Sequence, residues 1–133
     1  MGRKLTTSQQ DRLMSPIRTA LIAMRLGRCS HDHAHDVLAQ LLIAYRVCQL
    51  VPRHRHLRDD ILAAESAVHN MLERYSQRTV KDAYVNGTDD EIDALELASQ
   101  IYEALLKTTP LRTVRRAMLN VSEKVKNADA VHR

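Results

Sequence analysis

The sequence predicts an all-α fold, a compact bundle of four or five helices with short connections. Stretches with an apolar residue every three or four positions are separated by a few breakers: Ser15-Pro16, Gly27 to Ser30, Val51-Pro52, Asn86-Gly87-Thr88 and Thr109-Pro110. The 133 residues include no Phe and no Trp, so the interior must come from Leu, Ile, Val, Ala and Met, which suit helix packing. Three Gly and three Pro supply too few turns for a protein of many short strands. A chain of this length closes one core, and it is read as a single domain over 15–128. A polar, basic arm or short helix precedes it over 1–14, and a frayed end follows over 129–133.

Along the chain, Thr6, Thr7 and Ser8 can cap a short helix through Met14, within what otherwise reads as a mobile arm. Ser15 as N-cap with Pro16 at the first helical position then starts a helix that aligns Ile17, Leu21 and Met24, and Gly27 ends it. Ser30 caps the next helix, His31 to about Leu50. Its wide apolar face of Val37, Leu38, Leu41, Leu42, Ala44, Tyr45, Cys48 and Val51 marks it as the central helix. Beyond Pro52, Leu57, Ile61, Ala64, Val68, Met71 and Tyr75 form one stripe. The pattern continues through Val80 and Tyr84, so this helix either breaks near Gln77 to Thr79 or runs on to Asn86-Gly87. Thr88-Asp-Asp-Glu91 is a capping box, followed by Ile92, Leu95, Ala98, Ile101, Tyr102 and Leu105 at helical spacing. Thr109-Pro110 opens the last helix, with a narrow seam of Leu111, Val114, Met118, Val121 and Val125 that can pack into the bundle or pair with a second chain as a homodimer.

No apolar run reaches the roughly 18 residues of a membrane span, and the first residues lack the apolar stretch of a signal peptide, so a cytoplasmic protein with no membrane partner is expected. Cys29 and Cys48 bracket the central helix and fall about 28 Å apart at 1.5 Å per residue, beyond disulfide reach. Cys48 belongs to the core stripe, whereas Cys29 falls in a turn where exposure is expected.

Charge is unevenly placed. Residues 1–30 carry six Arg and Lys against Asp11, residues 110–133 carry six against Glu123 and Asp129, and residues 88–107 carry six acids against Lys107. The acidic helix either lies against basic neighbours or leaves a basic surface free for phosphate or an acidic protein. On the last helix, Arg112, Arg115 and Lys126, with Leu119 among them, flank the seam on one side, and Arg116 and Lys124 flank it on the other. These six residues are the candidate macromolecule-binding set.

The segment Thr109-Pro-Leu-Arg-Thr-Val-Arg-Arg-Ala-Met118 resembles the recognition helix of winged helix-turn-helix repressors of the GntR type. The resemblance covers about ten residues and implies DNA contacts from Thr113, Arg115 and Arg116. It departs from that pattern at Lys107 and Thr108, where the family prefers an apolar residue and a turn Gly, and no strand-rich wing is evident after it.

His31-Asp-His-Ala-His-Asp36 places His31 and His35 one helical turn apart, a pair able to hold zinc or nickel. They are the weak metal candidates. The spot is a helix N-terminus, which disfavours cations, so a solvated first turn is the expected reading and no cofactor is assigned. His54 and His56 lie among Arg53, Arg55 and Arg58, whose positive field also repels metal. Arg28-Cys-Ser-His-Asp-His33 resembles the Arg-x4-His spacing of HEPN-type ribonucleases, implying an arginine that holds phosphate and a histidine that acts on a 2′-hydroxyl. Cys29 stands where that family carries a polar residue.

The sequence has no phosphate loop, no paired-cysteine metal motif and no nucleophile elbow. The expectation is therefore a non-enzymatic helical interaction module with a protein partner, a small regulator, adaptor or inhibitor of the bacterial or mobile-element kind. The alternative is a DNA-binding regulator that uses the basic last helix, and a HEPN-like ribonuclease is the remote one.

Overall fold

The computed structural model describes residues 2–78 and 83–131. Five α-helices pack against one another in them, without strands: α1 (Thr7–Arg25), α2 (His31–Leu50), α3 (Arg58–Ser76), α4 (Asp89–Thr108) and α5 (Leu111–Val131), with a 3₁₀ segment Pro52–Leu57 between α2 and α3. The all-α bundle is as the apolar periodicity predicts. Helices α1 to α4 form a square in sequence order, since each touches the next and α4 returns to α1. Helix α2 touches every other helix, whereas α5 lies chiefly on α2 and scarcely meets α4. This position leaves α5 open along much of its length.

The core joins Ile17 and Met24 of α1, Val37, Leu41 and Val47 of α2, Ile61, Val68 and Met71 of α3, Leu95, Tyr102 and Leu105 of α4, and Leu111 and Val114 of α5. Burying each such aliphatic side chain contributes about 1.5–3 kcal/mol before entropy is counted. Tyr102 is fully buried, and its hydroxyl donates to Gln40 Oε1 at 2.8 Å, so its one polar atom is satisfied.

Helix starts follow the local capping chemistry, with one correction. The expected start at Ser15-Pro16 is absent, because α1 begins at Thr7 and runs through Pro16 to Arg25. Thr6 and Gln9 form a reciprocal capping box, in which Gln9 N donates to Thr6 Oγ1 at 3.1 Å and Thr6 N donates to Gln9 Oε1 at 2.9 Å. That cap nucleates the helix about two and a half turns upstream. Pro16 then removes only the bond to the carbonyl of exposed Arg12, where water can replace it. Pro16 therefore lies inside a helix, whereas Pro110 lies just before one.

Gly27 ends α1 as expected, with φ of 68°. Its N–H donates to Met24 O and Arg28 N–H donates to Ala23 O at 2.8 Å, the paired bonds of a Schellman motif. Helix α3 stops at Ser76 with Gln77 as its cap, which settles the alternatives left open near Gln77. Val80 lies outside the described residues, and so does the side chain of Val125. Helix α5 continues to Val131, so the expected frayed segment is helical as far as that residue.

Residues 2–5 are not a mobile arm. They run antiparallel to the α4–α5 joint, pairing Lys4 with Pro110, and Leu5 is buried in the core. Arg3 O accepts from Leu111 N at 2.6 Å and so caps one of the orphan amides that open α5. Gly2 makes the approach possible, since a Cβ there would stand 2.9 Å from Pro110 Cβ.

Candidate interaction surface

Which charges are already matched decides where a partner can bind. The acids of α4 are shared among neighbours: Glu103 pairs with Arg18 at 3.6 Å and Lys107 at 3.3 Å, Glu96 pairs with Arg25, and Glu91 pairs with Arg74. Asp89, Asp90 and Glu91 sit in the first turn of α4, where the helix dipole favours them. Arg74 clamps the end of α3 to this turn, because it donates to Glu91 Oε2 at 2.9 Å and to Asn86 O at 2.9 Å. Hydrogen bonding from Arg74 is the main force holding the Glu91 carboxyl below its ordinary range; burial opposes it, and Thr88 N–H adds to it. Three of the six acids of α4 are thus matched by α1 and α3. Among the described residues, helix α5 takes no part.

Among the described residues, no ion pair joins Arg112, Arg115, Arg116, Lys124 or Lys126, and all five are exposed. At about 100° per residue, Arg112, Arg115, Arg116, Leu119 and Lys126, with the acid Glu123 among them, fall within about 100° of arc, opposite the buried Val114 and Ala117. Arg116 therefore belongs to the outward crest rather than to the opposite flank expected from the sequence. Leu119 is 59% exposed at the middle of this crest. Lys124 lies apart, lining a cleft of about 280 Å³ with Leu42, Tyr45, Arg46 and Asn120. Arg46 Nε donates to Asn120 Oδ1 at 2.9 Å there and ties α5 to α2.

The arm extends the same cationic surface. Gly2 and Arg3 border a hollow with Arg112 and Arg115, and Arg115 also borders a groove between α1 and α5 with Leu5, Arg12, Leu13, Val114 and Met118. The sequence reading missed Arg3 and Arg12 as members of this surface. The chain crossing at Lys4 and Pro110 brings Arg3 to α5, and Arg12 borders the groove from α1.

The DNA-contact residues implied by the repressor resemblance are divided: Arg115 and Arg116 are exposed, while Thr113 is half-buried with its N–H on Pro110 O at 3.0 Å. The helices α4 and α5 do not pack across one another as a helix-turn-helix pair does, and no strand follows α5 among the described residues. Comparison with protein-family models, with curated proteins and with solved structures yields no match.

His31 and His35 stand with Nε2 atoms 3.0 Å apart and rings in edge contact, and His31 also packs on Tyr75 with ring centroids 5.2 Å apart. Among the described residues, no group of three or more metal-ligating side chains is assembled there or elsewhere. Arg28 is exposed, whereas His33 is half-buried and its Nδ1 is buried without a hydrogen-bond partner. In the 3₁₀ segment, burial first and then Arg53 and His56 lower the pKa of His54. Cys29, expected to be exposed, is fully buried; like Cys48 it is a free thiol, and burial raises the pKa of both. No described helix is long and apolar enough to cross a membrane.

Proposed function

We propose that this protein is a non-enzymatic interaction module, a small regulator, adaptor or inhibitor that binds another macromolecule through the crest of α5 and the arm beside it. One observation carries the reading: Glu91, Glu96 and Glu103 of α4 are matched by α1 and α3, while Arg112, Arg115, Arg116 and Lys126 share one exposed face with a single acid, Glu123, and form no ion pair among the described residues. A concentrated positive face on a rigid helix attracts a negative surface and speeds its encounter, and an exposed leucine among the cations adds apolar contact. A protein partner is the favoured class.

The same crest supports a second reading, duplex DNA held by its phosphates through Arg115 and Arg116. Binding of a fluorescent acidic peptide and of a mixed-sequence duplex, measured by anisotropy at low and moderate salt, tests both. The triple charge reversal Arg112→Glu, Arg115→Glu, Arg116→Glu should abolish binding of whichever probe the wild type takes. Binding unaffected by that reversal would refute the assignment of function to α5.

A further inference from the structure

We infer that the groove between α1 and α5 receives an acidic, amphipathic segment of a partner protein, an inference that rests on α5 being the binding face. The groove encloses about 180 Å³, room for one aliphatic side chain. Leu5, Leu13, Val114 and Met118 form its floor, and Arg12 and Arg115 stand on its two sides. Met118 remains 38% exposed, so part of this apolar floor still faces water. Neither arginine has an ion-pair partner among the described residues; the neighbouring Asp11 is taken by Arg18 at 3.3 Å. Arg3 and Arg112 continue the positive rim past the end of the groove.

Charge complementarity identifies the occupant. A ligand here gains by burying an apolar side chain on the floor while setting carboxylates against the arginines on either side, which a helix with acids three or four positions from a leucine does. A nucleic acid would use the arginines but leave the floor unfilled, and single strands need aromatic stacking platforms that the groove does not offer. The pattern is therefore that of a protein segment.

The test uses three probes: an amphipathic peptide of Glu and Leu, the same peptide with Ser in place of Leu, and a mixed-sequence DNA duplex. Each is titrated by anisotropy at low and moderate salt into the wild type, Arg115→Glu and Met118→Glu, with circular dichroism confirming that both variants keep their helix content. Docking in the groove predicts that the leucine peptide binds, that each substitution weakens it by about tenfold or more, and that the serine peptide loses affinity on a similar scale. If Met118→Glu binds the leucine peptide as the wild type does, or if the serine peptide or the duplex binds as tightly with the same dependence on Arg115, the groove assignment fails while the cationic face stands. If no acidic probe binds the wild type even at low salt, both fail.

Discussion

Replacing Gly2 by Ala tests how the arm is held and what it does for α5. The added Cβ would stand 2.9 Å from Pro110 Cβ, inside the roughly 3.5–4.0 Å optimum for carbon contacts, and the ring of Pro110 cannot turn aside. The arm must therefore shift by about an ångström, enough to break the 2.6 Å bond from Leu111 N to Arg3 O, which is worth about 1 kcal/mol. Leu5, 6% exposed in the native fold, would lose part of a burial worth about 2 kcal/mol. Restricting the unfolded chain returns roughly 0.5 kcal/mol, leaving a net loss of about 1–2 kcal/mol. For 133 residues the unfolding entropy is about 0.28 kcal/mol/K, so Tm should drop by about 4–7 °C. Hydrogen exchange should show the Leu111 amide exchanging faster than in the wild type. Unchanged Tm together with unchanged protection of Leu111 would refute the account of the arm as the cap of α5.

Three further predictions concern the interior and its clamps. Glu91→Gln should cost about 1 kcal/mol at neutral pH, the value of the Arg74 contact being discounted because Arg74 is largely exposed. The depressed pKa of Glu91 gives stability that is present above its unfolded value of 4.5 and lost as pH falls through the lower folded value, so denaturant titrations below about pH 4.5 should be flatter for Glu91→Gln than for the wild type. Burial, opposed by Arg58, pushes the Cys48 thiol up to about 11, and burial also raises Cys29, so a disulfide reagent at pH 8 should label neither until denaturant is added; rapid labelling of the native protein would contradict their burial. Tyr102→Phe should cost about 1 kcal/mol through the lost bond to Gln40, and Tyr102→Ala about 3–5 kcal/mol through the cavity it leaves. Because burial raises the Tyr102 phenol above its ordinary value of 10, wild-type stability should fall as pH rises past about 10, and Tyr102→Phe should flatten that loss.

What the sequence made legible was local. The Thr88 to Glu91 box and the stop at Gly27 depend on residues within one turn, and both stand where capping chemistry puts them. The start of α1 was equally local but misassigned, because Ser15-Pro16 is a stronger-looking signal than Thr6 and Gln9, although the latter pair makes both capping bonds. Long-range features were illegible for a physical reason. The arm reaches Pro110 and Leu111 across the whole sequence, and nothing near Gly2 announces that contact. Likewise the cations of both chain ends looked equivalent, and only packing assigns Arg18 and Arg25 to α4 while leaving those of α5 exposed. Cys29 shows the same limit, since a turn residue is buried when its neighbours fold over it.

The most direct test of α5 as the working face is to map binding by amide chemical shifts in the isotope-labelled protein titrated with the acidic leucine peptide. Perturbations should concentrate at Arg3, Arg12 and residues 112–119, with little change at the other basic cluster, Arg53, Arg55 and Arg58. Shifts centred on that 3₁₀ segment, or scattered without a focus, would contradict it.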